Sequence, residues 1–133
     1  MADTSDVKIG DVGTVYRVPC YDNDLTPANF DPSAATVKQI VFKFPDQAQV
    51  ITRTATAAQV TIGGVAVWCL TYTVVAADVA AYSSPTVGGF HQAAGYVSLE
   101  GYVEFSSAQK WASSTVTTDQ QGRRLRVVAR LAV

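Results

Sequence analysis

The sequence predicts an all-β fold, an immunoglobulin-like antiparallel β-sandwich of about seven strands with one short helical turn. Three observations carry this. Gly95 to Phe105 alternates between two faces, with Val97, Leu99, Val103 and Phe105 on one and Tyr96, Ser98, Glu100, Tyr102 and Glu104 on the other, the period of a strand buried on one side and wet on the other. Further short β-rich runs are separated by turn formers. No stretch holds a helical apolar period long enough for a packed helix.

The chain has 133 residues, 48% hydrophobic and 16% charged, which fits one sandwich at 14–132 behind an acidic arm at 1–13. Strands are expected at about 14–21, 35–44, 49–57, 66–75, 95–105, 109–117 and 123–132. The second sets Ile40, Phe42 and Phe44 against Gln39 and Lys43, and Phe44-Pro45-Asp46 ends it with a turn. In the fourth, Trp68, Leu70, Tyr72 and Val74 alternate with Cys69, Thr71 and Thr73. The last alternates Leu125, Val127, Ala129 and Leu131 with Arg124, Arg126 and Arg130. Each is expected to bury one side. Ala76 to Tyr82 is too alanine-rich for a strand and reads as one or two helical turns.

Thr54 to Ala77 carries no charge, but threonines, Gln59 and the Gly63-Gly64 pair interrupt it. Two strands around a turn describe it better than a membrane span. The first eleven residues contain Asp3, Asp6 and Asp11 and no apolar run, unlike a secretory leader, so synthesis in the cytoplasm is expected. Cys20 and Cys69 then read as two small buried hydrophobes, ahead of a disulfide or a metal site.

Two loops are long for a minimal sandwich. Asp22 to Ser33 is a row of turn formers with two prolines, and Ser83 to Ala94 places Phe90, His91 and Gln92 after Gly88-Gly89. Such loops are usual places for recognition.

Signs of catalysis are sparse. His91 is the only histidine, no Gly-x-Ser-x-Gly elbow accompanies it, and a surface or interface role is preferred. Glu100 and Glu104 point the same way, but four residues of strand separate them by roughly 13 Å, beyond glycosidase geometry. Asp22-Asn23-Asp24 opens like a calcium loop yet lacks the glycine and glutamate that complete one. No glycine-rich phosphate loop is present. Neither cofactor, metal nor catalytic residue is expected.

Charge is uneven. Residues 1–31 hold six aspartates against Lys8 and Arg17, whereas the last strand region holds Arg123, Arg124, Arg126 and Arg130 against Asp119. These ends either pair within one domain or join the acidic arm of one copy to the arginine face of a neighbour. With a net charge of −1 and no interleaved aromatics, neither nucleic acid nor a membrane is the expected partner.

The order Gly10-Asp11-Val12-Gly13-Thr14, then Ala34-Ala35-Thr36-Val37 leading to Phe42-Lys43-Phe44-Pro45-Asp46, resembles the immunoglobulin-like N-terminal domain of siphophage upper baseplate proteins and related small bacteriophage virion proteins. Leu70-Thr71-Tyr72, Ala77-Asp78, Gly95-Tyr96, Glu100-Gly101-Tyr102-Val103 and Lys110-Trp111-Ala112-Ser113 extend the resemblance over about 9–131. It departs where Gln47, not glycine, follows Asp46, and where Ser83 to Ala94 looks inserted.

The resemblance implies a non-enzymatic virion protein that attaches fibres or receptor-binding proteins to a tail, baseplate or collar. Its partners would be other phage structural proteins, with a homo-oligomer possible in the assembly. Interface candidates are Phe90, His91, Gln92, Tyr102, Arg124, Arg126, Arg130, Asp3 and Asp6, with Phe90 and Tyr102 as anchors. The alternatives are a capsid decoration protein clamping shell subunits, and a carbohydrate-binding module presenting Tyr96, Tyr102 and Trp111.

Overall fold

The alternation between Gly95 and Phe105 is real, but it serves two sheets. The computed structural model describes residues 4–21, 28–45, 47–80, 89–119 and 121–129. They form strands β1 (Thr4–Lys8), β2 (Val15–Pro19), β3 (Val37–Lys43), β4 (Ile51–Thr54), β5 (Thr56–Ile62) and β6 (Val65–Thr73), helix α1 (Ala76–Ala80), and strands β7 (Gly95–Tyr96), β8 (Ser98–Glu104), β9 (Lys110–Ala112) and β10 (Arg124–Val128). Three sheets result, ordered β1-β10-β7, β2-β6-β5 and β4-β3-β8-β9. The fold is all-β with one short helix.

Among the described residues ten strands stand where seven were expected, for local reasons. The run 49–57 divides at Ala55: β4 pairs with β3, while β5 pairs with β6 in another sheet. The run 95–105 divides at Val97, whose N–H reaches Leu125 O, so β7 joins β10 and β8 joins β3. Strand β9 is short, and Val116 rejoins the sheet only as an isolated bridge to Leu99. Residues 4–8 of the acidic arm form β1, parallel to β10. Residues 81 and 82 of the expected helical turn and 130–132 of the last expected strand lie outside the described residues.

The reading of 54–77 as two strands around a turn holds. Gly63 and Gly64 both have positive φ, 59° and 81°, which is the type I′ geometry whose twist matches the flanking strands.

The core lies where β2-β6-β5 meets β4-β3-β8-β9. Tyr16, Val18 and Leu70 from one sheet meet Ile40, Phe42, Leu99 and Val103 from the other, and Val97, Leu125 and Val127 extend the cluster to the third. At Gly101 a β-carbon would stand 3.0 Å from Val18 Cγ1 and 3.1 Å from Leu70 Cδ1, so the glycine continues the apolar face of β8 where side chains of the facing sheet leave no room for one.

One face assignment needs correction. Val67 and Cys69, on the side of β6 expected to be wet, are buried along with Leu70. Their register neighbours are Val60, Ala58 and Pro19, so that side of the sheet is apolar too.

The two departures from the resembled pattern touch each other. Gln47 is buried and its Nε2 donates to Gly89 O at 2.5 Å, fixing the described end of the Ser83 to Ala94 loop.

Candidate docking surface

That loop does not present its aromatic group to solvent. Phe90 and His91 are 0% exposed, which corrects their expected place at an interface. The Phe90 ring lies 4.7 Å from both Phe42 and Phe44, because burying a ring of this size in an aromatic core outweighs leaving it on a loop. His91 takes a positive φ of 57°. Its Nδ1 lies 2.8 Å from Asp11 O and its Nε2 lies 2.7 Å from the Tyr16 hydroxyl.

A carbonyl can only accept, so Nδ1 carries the proton and Nε2 accepts from Tyr16. Burial lowers the imidazole pKa below its usual value, more than the Asp11 carbonyl and the nearby Asp11 and Asp78 charges raise it. Burial, reinforced by Asp11, raises that of Tyr16. Both ring nitrogens are thus committed to structural hydrogen bonds.

Gln92 is half-buried and also faces inward, its Nε2 donating to Val79 O at 2.6 Å and Phe90 O at 3.0 Å. It ties the loop to α1.

Asp78 on α1 was not singled out as a site residue. Only 4% exposed, it accepts from Arg53 Nε at 3.0 Å, Tyr72 Oη at 2.5 Å and Val75 N at 3.0 Å. Burial alone would raise its pKa, but these hydrogen bonds and the Arg53 charge outweigh it and hold the carboxyl below the ordinary value of 3.8. The sequence signal was present. Arg53 and Asp78 are the two charges that bracket the uncharged run, and a buried charge needs a partner.

The two charged ends pair within the chain. Asp6 and Arg126 stand opposite in the parallel register, and Nε and Nη2 of Arg126 reach the two carboxylate oxygens at 3.1 Å. Arg124 is exposed and lies 4.2 Å over the Tyr96 ring, itself 52% exposed. Asp3, Arg130 and the Asp22-Asn23-Asp24 segment lie outside the described residues. Among the described residues no group of three His, Cys, Asp or Glu is placed to hold a metal ion, and no helix is long and apolar enough to cross a membrane.

Cys20 and Cys69 are buried free thiols. Burial, with the neighbouring Cys69, pushes Cys20 up to about 12, and burial also raises Cys69.

The three aromatics expected to form a sugar platform are not brought together. Tyr102 pairs with Ala112 whereas Trp111 pairs with Val103, and since register partners share a face, Trp111 points to the core side and Tyr102 away from it. Tyr96 belongs to another sheet. Tyr102 is half-buried and donates to Glu104 Oε2 at 2.6 Å, a bond that raises the phenol pKa.

A different aromatic arrangement is present. Phe30, Phe105 and Trp111 line a groove of about 580 Å³ with Asp31, Gln109 and Lys110 at its polar positions. Phe30 meets Trp111 edge to face at 5.0 Å, and the indole N–H is held by Tyr21 O at 2.9 Å. Asn29 positions this wall by clamping the Trp68 backbone with both its amide oxygen and nitrogen. Phe30 was legible only as part of a turn-rich loop.

No family model, curated protein or solved structure matches the chain.

Proposed function

We propose that this chain is a non-enzymatic bacteriophage virion protein, an immunoglobulin-like adaptor that attaches fibres or receptor-binding proteins to a tail, baseplate or collar. The resemblance of its short motifs supports the adaptor role. One observation carries the non-enzymatic part: the single histidine is enclosed, with Nδ1 spent on Asp11 O and Nε2 on Tyr16, a structural arrangement without access to substrate. Docking then falls to groups on the surface. Tyr96 held under Arg124, with Tyr102 on the sheet face, takes the anchoring role first expected of Phe90, since exposed Tyr and Arg are the usual interface hot spots. The immunoglobulin-like description rests on the two facing sheets, with β4 and β5 as one run that changes sheet at Ala55.

Antibody labelling of intact particles, imaged by electron microscopy, tests the reading. Label at the tail, baseplate or collar is expected. Label spread over the head would identify a capsid decoration protein, and unlabelled particles would sink both roles.

The Phe30, Phe105 and Trp111 groove favours a second reading, binding of a glycan through aromatic and polar contacts. Saturable binding to a host polysaccharide that Phe105→Ala abolishes would support it, and unaltered binding in that variant would remove the groove from the account.

A further inference from the structure

Strand β5 ends its sheet in the order β2-β6-β5, and its backbone bonding can be read from the turn that follows it. Ile62 and Val65 flank a two-residue hairpin turn and are register partners, so they form a hydrogen-bonded pair. The pairs alternate from there. Val60, Ala58 and Thr56 bond to β6, while Ala57, Gln59 and Thr61 direct their N–H and C=O groups away from it. The other side of β6 agrees, because Cys20 N donates to Trp68 O at 2.9 Å, leaving the even-numbered residues of β6 to β2.

Among the described residues the other sheet edges are protected. On β2 the outward backbone groups belong to Val15, Arg17 and Pro19, and proline has no N–H to offer. Strand β4 carries Arg53 and β9 carries Lys110; β1 carries Asp6 and Lys8; β7 has two residues. These are the usual means of preventing edge pairing. Strand β5, with seven residues, has no charge and no proline, and Gln59 and Thr61 are exposed.

We infer that β5 is the contact through which two copies of this chain join, pairing antiparallel about a two-fold axis at Gln59. The axis sets Gln59 opposite its own copy and Ala57 opposite Thr61 of the second copy. All outward groups then find partners in about six N–H···O bonds between chains. A self-matching contact must place like beside like, and the uncharged run 54–77 brings no charge against itself. The amide of Gln59 both donates and accepts, so it suits its own copy. Beside the edge, Val60 and Ile62 continue an apolar strip that includes Val65, 63% exposed. This contact is independent of where the protein sits on a particle.

Sedimentation velocity over a concentration series to the millimolar range tests it. The wild-type chain is expected to dimerise, and the Gln59 and Thr61 amides to gain protection from hydrogen exchange as it does. Gln59→Pro removes an outward donor and no bond to β6, so it should abolish the dimer while leaving the circular dichroism spectrum unchanged. Gln59→Lys sets like charges opposite each other and should weaken the dimer about fivefold, with Gln59→Glu restoring it on mixing. If Gln59→Pro fails to fold, the lysine variant and amide exchange decide. A wild-type chain that stays monomeric throughout, or a dimer indifferent to both Gln59→Lys and β5 amide exposure, would overturn the inference.

Discussion

Arg53 and Asp78, the two charges that bracket the uncharged stretch 54–77, meet across the fold as an ion pair with Nε and Oδ1 3.0 Å apart. Asp78 is enclosed and Arg53 is about one-third exposed, 32% at the side chain. The guanidinium also lies 5.5 Å from the centre of the Phe90 ring. One carboxylate therefore ties the corner of β4, the end of β6 and the start of α1.

Asp78→Asn should cost about 2 kcal/mol, because it leaves Arg53 without its counter-charge and weakens the bond from Tyr72. The folded pKa of Asp78 is depressed, so its stabilisation is present above the unfolded value and is lost as pH falls through the folded one. Urea denaturation at neutral pH and below pH 3.8 is the check: the acid loss should shrink in the variant.

His91 behaves with pH in a different window. Its folded pKa is lowered from 6.5, so below pH 6.5 the unfolded chain gains a proton that the folded chain resists, and stability decreases as the pH is lowered. His91→Asn tolerates the positive φ and should remove this slope between pH 6.5 and the onset of carboxylate titration. Tyr16→Phe should cost about 1–2 kcal/mol by leaving Nε2 unsatisfied. Nitrogen chemical shifts should report the Nδ1–H tautomer; the opposite tautomer would refute the assignment.

Gly101→Ala should destabilise by about 1–3 kcal/mol through overpacking against Val18, Leu70 and Trp111, the nearest of them 3.0 Å away. Val18→Ala in the same chain should recover part of that loss. Two additive penalties in thermal denaturation would show that the β-carbon is accommodated elsewhere.

Both thiols should resist a disulfide reagent in the native chain and react together on unfolding, since burial raises their pKa values and they have no exposed surface. Rapid labelling of either under native conditions would contradict the burial.

Period-two alternation made most strands legible, because side chains at Ile40, Phe42, Leu99, Val103, Leu125 and Val127 take the face their spacing dictates. It was blind to sheet membership. A strand that changes sheet keeps its alternation, so nothing in the composition marked Ala55 or Val97 as crossing points. Strand β1 was hidden because five residues with two charges read as a solvated arm until Arg126 supplies the partner of Asp6. Phe90 and His91 were misplaced for a related reason: the two glycines before them suggested an exposed loop, whereas the aromatic cavity between Phe42, Phe44 and Tyr16 is made by residues distant in sequence.

The parallel pairing of β1 with β10 joins residues as much as 120 positions apart, as Asp6 and Arg126 are. During synthesis β1 leaves the ribosome about 120 residues ahead of its partner. The early strand must therefore wait for β10 before its native pairing can form. Its charges then act in time as well as in space, keeping a premature edge soluble until β10 arrives to pair with it.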